Sequence, residues 1–224
     1  MDVQNTREPQ YKRCLDLAEN RRTTLGLMSN QVWHDDPKRL GFVFARYKFV
    51  AKMLVGKREV LEIGCADAFA SRIVRQEVER LVVSDFDPVF IADVNARLDH
   101  AWPIEARVHD FIENPMTVKF DAAYSVDVLE HINPADESKF FGNLTQSLHE
   151  NSVCIMGTPS LESQIYASEG SKAGHVNCKT SEQLRDTMAN YFKNVFMFGM
   201  NDEVLHVGYP RMCHYLFAVA CGVR

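Results

Sequence analysis

The sequence predicts an α/β fold: a Rossmann-like, doubly wound sheet, mostly parallel with an antiparallel last strand, and helices on both faces. Three observations carry this. Short apolar runs alternate with helical periodicity over much of the chain, the pattern of a parallel sheet with crossover helices. The first run ends in a turn of small residues that opens a helix. The last two runs are joined by a polar segment with no helical period, so they should pair antiparallel.

Taken in order, a polar helix is expected from Gln10 to Arg22, then a loop, residues 27–40, carrying Trp33 and His34 among turn formers. A second helix should run from Pro37 to Leu54, with Phe42, Ala45, Phe49 and Met53 at helical spacing and Gly56 as its stop. Strands are expected at Glu59–Ile63, Leu81–Ser84, Ile104–Val108, Phe120–Ser125, Val153–Gly157, Asn194–Phe198 and His214–Cys221. Helices should lie at Phe69–Glu79, Pro88–Leu98, Pro134–Leu148 and Ser181–Tyr191, with a loop from Asn201 to Arg211. No repeat or linker divides the chain. One domain over residues 1–224 is expected, with residues 1–56 as a helical lid and 57–224 as the core.

The 224 residues carry a formal charge of −5 and are 46% hydrophobic and 25% charged, which is ordinary for a globular protein. The acidic balance gives no electrostatic reason to expect a nucleic-acid partner. Six cysteines are scattered without a C-x-x-C pair, as expected of free thiols in a reducing compartment. The polar N-terminal segment does not resemble a secretory signal and no apolar run is long enough to span a bilayer. No membrane partner and a cytoplasmic location are therefore expected.

In such a sheet, ligands bind outside the carboxyl ends of the strands. There the first strand leads into Gly64-Cys65-Ala66-Asp67-Ala68-Phe69, and the second ends at Asp85, where a carboxylate can accept both hydroxyls of a ribose. A dinucleotide fingerprint fits poorly, because positions 64, 66 and 69 read Gly, Ala and Phe.

The segment Val60 to Ala68 instead resembles the first motif of class I S-adenosylmethionine-dependent methyltransferases, an acid followed by alternating glycines. Glu62 and Gly64 match, while Ala66 and Ala68 depart from the glycines. Val83 to Pro88, His109-Asp110-Phe111 and Phe120 to His131 are similar to the family's second-, third- and fourth-strand motifs. The resemblance covers about residues 60–222. It implies S-adenosyl-L-methionine as cofactor, with Glu62, Gly64, Cys65 and Ala66 around it and Asp85 on the ribose. It also implies Phe86 against adenine, Asp110 and Phe111 at the adenine amino group, Ser125 and Asp127 along the methionine end, and Arg46 and Tyr47 at its carboxylate.

For the acceptor, the loops leaving the parallel strands offer His131, His175, Glu203 and His206, and His214 begins at the same edge. For a hydroxyl acceptor, His175 or His206 is the expected general base, His175 first, with Glu203 orienting His206 or the substrate, because imidazole titrates near neutral pH. Asp127, Glu130, Asp202, Glu203 and the nearby histidines could supply metal ligands, but their spacing matches no dedicated metal motif and no metal is expected. Trp33, Phe111 and Tyr166 are expected to line a small apolar acceptor pocket. The fourth-strand motif lacks the Asn-Pro-Pro-aromatic run of nucleic-acid amino-methyltransferases. A small-molecule acceptor is expected, in particular a hydroxyl of a sugar or surface-glycan precursor. Two alternatives stay open: another nucleotide-dependent enzyme of similar fold, or a methyltransferase-like binding subunit without turnover.

Overall fold

The structure of the chain, a computed structural model, describes residues 6–224; the first five residues of the expected lid lie outside them. One eight-stranded sheet has the order β3-β2-β1-β4-β5-β8-β6-β7. The strands are β1 (Glu59–Ile63), β2 (Arg80–Asp85), β3 (Glu105–Val108), β4 (Phe120–Val126), β5 (Leu148–Pro159), β6 (Phe192–Asn201), β7 (Val204–His206) and β8 (Tyr215–Val223). From β3 to β5 all pairs are parallel. Strand β8 inserts antiparallel between β5 and β6, with Ile155 opposite Val219 and Phe196 opposite Val219 on its other side.

Helices α1 (Lys12–Asn20), α2 (Leu27–Asp35) and α3 (Lys38–Met53) precede the sheet. Helices α4 (Ser71–Arg75), α5 (Pro88–Ala96), α6 (Glu137–Gln146), α7 (Glu169–Gly174) and α8 (Ser181–Ala189) connect its strands. Successive strand residues point to opposite faces, so each strand feeds two cores. Val60, Val83, Tyr124 and Phe217 pack beneath α3, α4 and α5. Leu61, Val82, Ala123 and Leu216 pack against α6 and α8. Helix α3 buries Tyr47, Phe49, Val50 and Ala51 in the first core, so the expected lid boundary at residue 56 cuts behind a helix that belongs to the core.

The structure departs from expectation in four places. The expected loop at 27–40 contains α2, whose first turn is fixed by two distant acids: the Ser29 amide donates to Asp67 at 2.6 Å and the Leu27 amide to Asp93 at 3.3 Å. A tertiary contact of this kind overrides local turn propensity. The helix expected at Phe69–Glu79 shrinks to α4, because residues 66–69 are used in a tight turn. Strand β5 begins nine residues after Lys139, at Leu148, and its exposed His149, Glu150 and Asn151 carry no apolar signal. Within the expected 201–211 loop, β6 and β7 form a two-residue hairpin with Asp202 in the left-handed region (φ 50°).

All six cysteines are free thiols, three of them buried. Among the described residues, no helix is long and apolar enough to cross a membrane.

Candidate functional site

A cavity of about 490 Å³ opens at the carboxyl end of β1 and β4, between the sheet and α2 and α3. Gly64, Cys65 and Ala66 form one wall, Arg46 and Tyr47 another, and Asp127, Glu130, His131 and His175 close the far end.

The turn after β1 gathers three positive-φ residues in a short stretch. Gly64, Ala66 and Ala68 all have positive φ (71°, 44° and 49°). Only the first is glycine, and an L-residue in this region costs about 1–2 kcal/mol. Asp85 holds the turn from beneath: it accepts from the Ala66 and Asp87 amides, each at 2.9 Å. Each carboxylate oxygen keeps a further lone pair for a ligand. Asp67 completes the turn by capping the Phe69 amide and by gripping both the amide and hydroxyl of Ser29. Arg97 donates to the Asp67 carbonyl and pairs with Asp93. Gly26 enters this clamp with no room for a side chain, since a Cβ there would lie 2.4 Å from the Asp67 Cβ.

Glu62 lies under the cavity floor, buried, with its two oxygens accepting from the Tyr47 and Tyr124 hydroxyls at 2.6 Å each. Burial raises its carboxyl to about 7, against the opposing pull of these hydrogen bonds. Burial likewise pushes the Tyr47 and Tyr124 phenols well above their ordinary range, with Glu62 adding to the shift.

Arg46 pairs with Asp127 at 2.7 Å and lies 3.8 Å from the centroid of the Tyr215 ring. Its Nε is buried with no hydrogen-bond partner, a costly state for a charged donor. Asp127 sits at positive φ (59°), and its amide donates to the Gly157 carbonyl and the Tyr215 hydroxyl.

The expected cofactor residues separate into three groups. Gly64, Cys65, Ala66, Arg46, Tyr47 and Asp127 line the cavity. Glu62 and Asp85 support that lining from below. Phe86 does not line the cavity; it follows Asp85 at the end of β2 with 72% of its surface exposed. Asp110 caps the Ile112 amide. The Phe111 ring is buried, edge-on to Phe140, and Ser125 is buried with its hydroxyl on the Ile63 carbonyl. Both side chains therefore serve the sheet and its core, and only their backbones remain for a ligand.

The expected acceptor residues divide as well. His175 lines the cavity, beside His131 with ring centroids 5.1 Å apart. Burial, then the neighbouring His131, lowers its basicity. His206 does not line it: its Nε2 meets the Asn201 amide oxygen at 2.7 Å, and the Cys213 thiol lies against it. Glu203 is exposed on the β6–β7 turn, its carboxylate above Gly41 of α3. His214 is exposed just before β8. The apolar pocket expected from Trp33, Phe111 and Tyr166 does not form, because Trp33 and Tyr166 are largely exposed and Phe111 is buried elsewhere. Conversely, the sequence reading missed Asp67, Ser29 and Gln164. An acid within the small-residue turn was the available signal for Asp67; Gln164 lies eleven residues from His175 and gave none.

Residues 60–151 match the family model described as a methyltransferase domain. A probable S-adenosylmethionine-dependent methyltransferase of Mycolicibacterium smegmatis is 24% identical over 143 residues, which are 62% of this chain and 50% of that protein. The chain thus spans about half the length of the curated relative it matches. The N-methyltransferase NodS from Bradyrhizobium japonicum WM9 is similar in structure, with a TM-score of 0.60 at 16% identity over 85% of this chain and 99% of that one. The DhpI–SAH complex gives 0.63 at 13% identity over 87% and 91%. The methyltransferase domain of bacterial CtHen1-C gives 0.65 at 14% identity over 80% and 98%. At these identities the structural matches speak for the fold alone, while the domain match and the curated relative show a chain similar to S-adenosylmethionine-dependent methyltransferases.

Proposed function

We propose that the chain transfers a methyl group from S-adenosylmethionine to a small-molecule acceptor, at a hydroxyl of a sugar or surface-glycan precursor. The observation that carries this reading is the cavity itself. It is of a size typical of small-molecule sites and runs from Arg46 and the Gly64 turn to His175. The cofactor would supply an electrophilic methyl group on a sulfonium.

The residues present fit that cofactor. The unpartnered Arg46 Nε is suited to a carboxylate, the Asp85 oxygens to ribose hydroxyls, and the open Phe86 ring to a flat base. Asp127 anchors Arg46 from the cavity wall. Acceptor and methyl group are then aligned by the walls, and such positioning alone can supply much of a displacement rate.

His175 is the proposed base for the acceptor proton. Its Nδ1 donates to the Gln164 oxygen at 2.7 Å, which leaves a lone pair on Nε2, and its lowered basicity keeps it neutral at neutral pH. His206 is the second candidate and would need its loop to move toward the cavity.

The test is a metabolite-extract screen with labelled cofactor, followed by single-turnover rates on the compound that gains label. His175→Ala should lose about a hundred- to ten-thousandfold in rate while cofactor affinity is unchanged, and the wild-type rate should fall as acid protonates the imidazole. Rates within about threefold of wild type would remove His175 from the chemistry. A protein that binds the cofactor and labels nothing would favour a binding subunit.

A further inference from the structure

At the acceptor end of the cavity, Glu130, His131 and His175 present one ligand atom each, all within 4.8 Å of one another. Three features make this more than a chance grouping. The His131 Nδ1 donates to the Gly174 carbonyl at 3.0 Å, and the His175 Nδ1 donates to Gln164 Oε1 at 2.7 Å. Both partners are pure acceptors, so both imidazoles are held in the tautomer that leaves Nε2 with a free lone pair. The third residue has an outer partner too, because Thr158 donates to Glu130 Oε2 at 3.1 Å. Outer-sphere oxygen partners of this kind are what orient metal-ligating histidines and carboxylates.

The backbone keeps the three together. The amides of Val176 and Asn177 donate to the Glu130 carbonyl at 2.8 and 3.0 Å, so the loop bearing His175 is tied to the turn bearing Glu130 and His131. Asp127, three residues earlier, lines the same cavity with its charge paired to Arg46.

We infer that Glu130, His131 and His175 form a binding site for one divalent transition-metal ion. Two imidazoles and one carboxylate suit an ion of the zinc, iron(II) or manganese(II) type and leave coordination positions open toward the cavity. Metal–ligand bonds are about 2.0–2.2 Å, so the ligands must draw in by roughly 1 Å, and His131 lies exposed at the rim. This departs from the expectation of no metal, which rested on sequence spacing: His175 lies forty-four residues beyond His131 and only the fold unites them.

The role of the ion rests on the proposed methyl transfer; the site itself does not. An acceptor hydroxyl coordinated there would lose its proton to solvent more readily. Its oxygen then bonds to the methyl carbon as the carbon–sulfur bond breaks, and that bonding pair stays on sulfur. With the ion bound, the Nε2 lone pair of His175 is taken, so the base role proposed above belongs to the metal-free protein and coordination replaces it in the loaded one.

The experiment is calorimetry and visible spectroscopy on chelator-stripped protein titrated with Zn²⁺ and with Co²⁺. One equivalent should bind, with the Co²⁺ form showing absorption bands of a nitrogen–oxygen site. His131→Ala and His175→Ala should each weaken Zn²⁺ binding at least tenfold and erase the Co²⁺ bands. Gln164→Leu, which removes only the outer partner, should weaken it by about ten- to a hundredfold. Retained binding of S-adenosylhomocysteine shows that each variant is folded. Absence of stoichiometric binding, or binding indifferent to both histidine variants, overturns the site. Methyl transfer that persists undiminished in chelator overturns its catalytic role and leaves the proposed activity standing. One-to-one metal binding by a protein that takes no sulfonium cofactor keeps the site and discards the activity.

Discussion

At the cofactor end of the cavity, main chain is placed by nearby sequence: three left-handed residues within five positions, held by Asp85 and Asp67. At the acceptor end, side chains from distant segments meet, with Glu130 and His131 after β4, Gln164 after β5 and His175 after α7. The first arrangement can be read from a short motif because each residue answers to its own dihedral angles. The second exists only once β4 and β5 have paired. One end is therefore set by local backbone, while the other depends on side chains that only the fold brings together.

The sharpest way to break this contrast is to change one residue at each end and measure the same quantity. Asp85→Ala should weaken binding of S-adenosylhomocysteine about ten- to a hundredfold, since a charged acceptor facing buried donors is worth about 1.5–3 kcal/mol. His206→Ala, beyond the cavity, should leave it unchanged. Calorimetry that finds equal losses for both variants, or none for Asp85→Ala, would erase the distinction.

A second test probes the floor under the cofactor end. Glu62 is shifted from an ordinary 4.5 to about 7 by burial. A carboxyl raised on folding holds its proton longer than the unfolded chain does, so its contribution to stability declines as pH rises from about 4.5 and is fully lost above about 7. The cost at pH 8 is on the order of 3 kcal/mol, at 1.36 kcal/mol per pH unit. Glu62→Gln lacks this decline, and the difference between the two urea-unfolding stabilities should widen between pH 5 and pH 8. A constant difference would show that Glu62 ionises normally.

The smallest effect concerns the turn itself. Ala66→Gly and Ala68→Gly should each raise stability by about 0.5–1 kcal/mol, relief of left-handed strain outweighing the added freedom of the unfolded chain. A fall in melting temperature for both would show that the alanine methyl groups pack better than the backbone strain costs.

This asymmetry also explains what was legible in the sequence. Strands β1 to β4, the positions of Glu62, Gly64 and Asp85, and the antiparallel final strand follow from apolar runs and one small-residue turn. Helix α2 was not legible, because Asp67 fixes its first turn from thirty-eight residues away. The side chain of Phe111 reads equally well as a ligand contact or a core residue until α6 brings Phe140 against it. His206 and His175 looked equivalent as loop histidines. The hairpin that turns His206 toward Asn201, and the helix α7 that delivers His175 to His131, distinguish them.

The sheet's two borders carry a consequence for how copies of this chain can meet. Strand β3 has four residues, of which Glu105 and Arg107 are charged and paired, Glu105 also meeting Arg80 of the neighbouring β2. Strand β7 has three residues and turns at exposed Asp202 and Glu203. Short, charged margins are poor templates for an incoming strand. Association by continuing the sheet from one molecule into the next is thus disfavoured at both ends, and a pair of these molecules would have to join through helices or through the rim of the cavity.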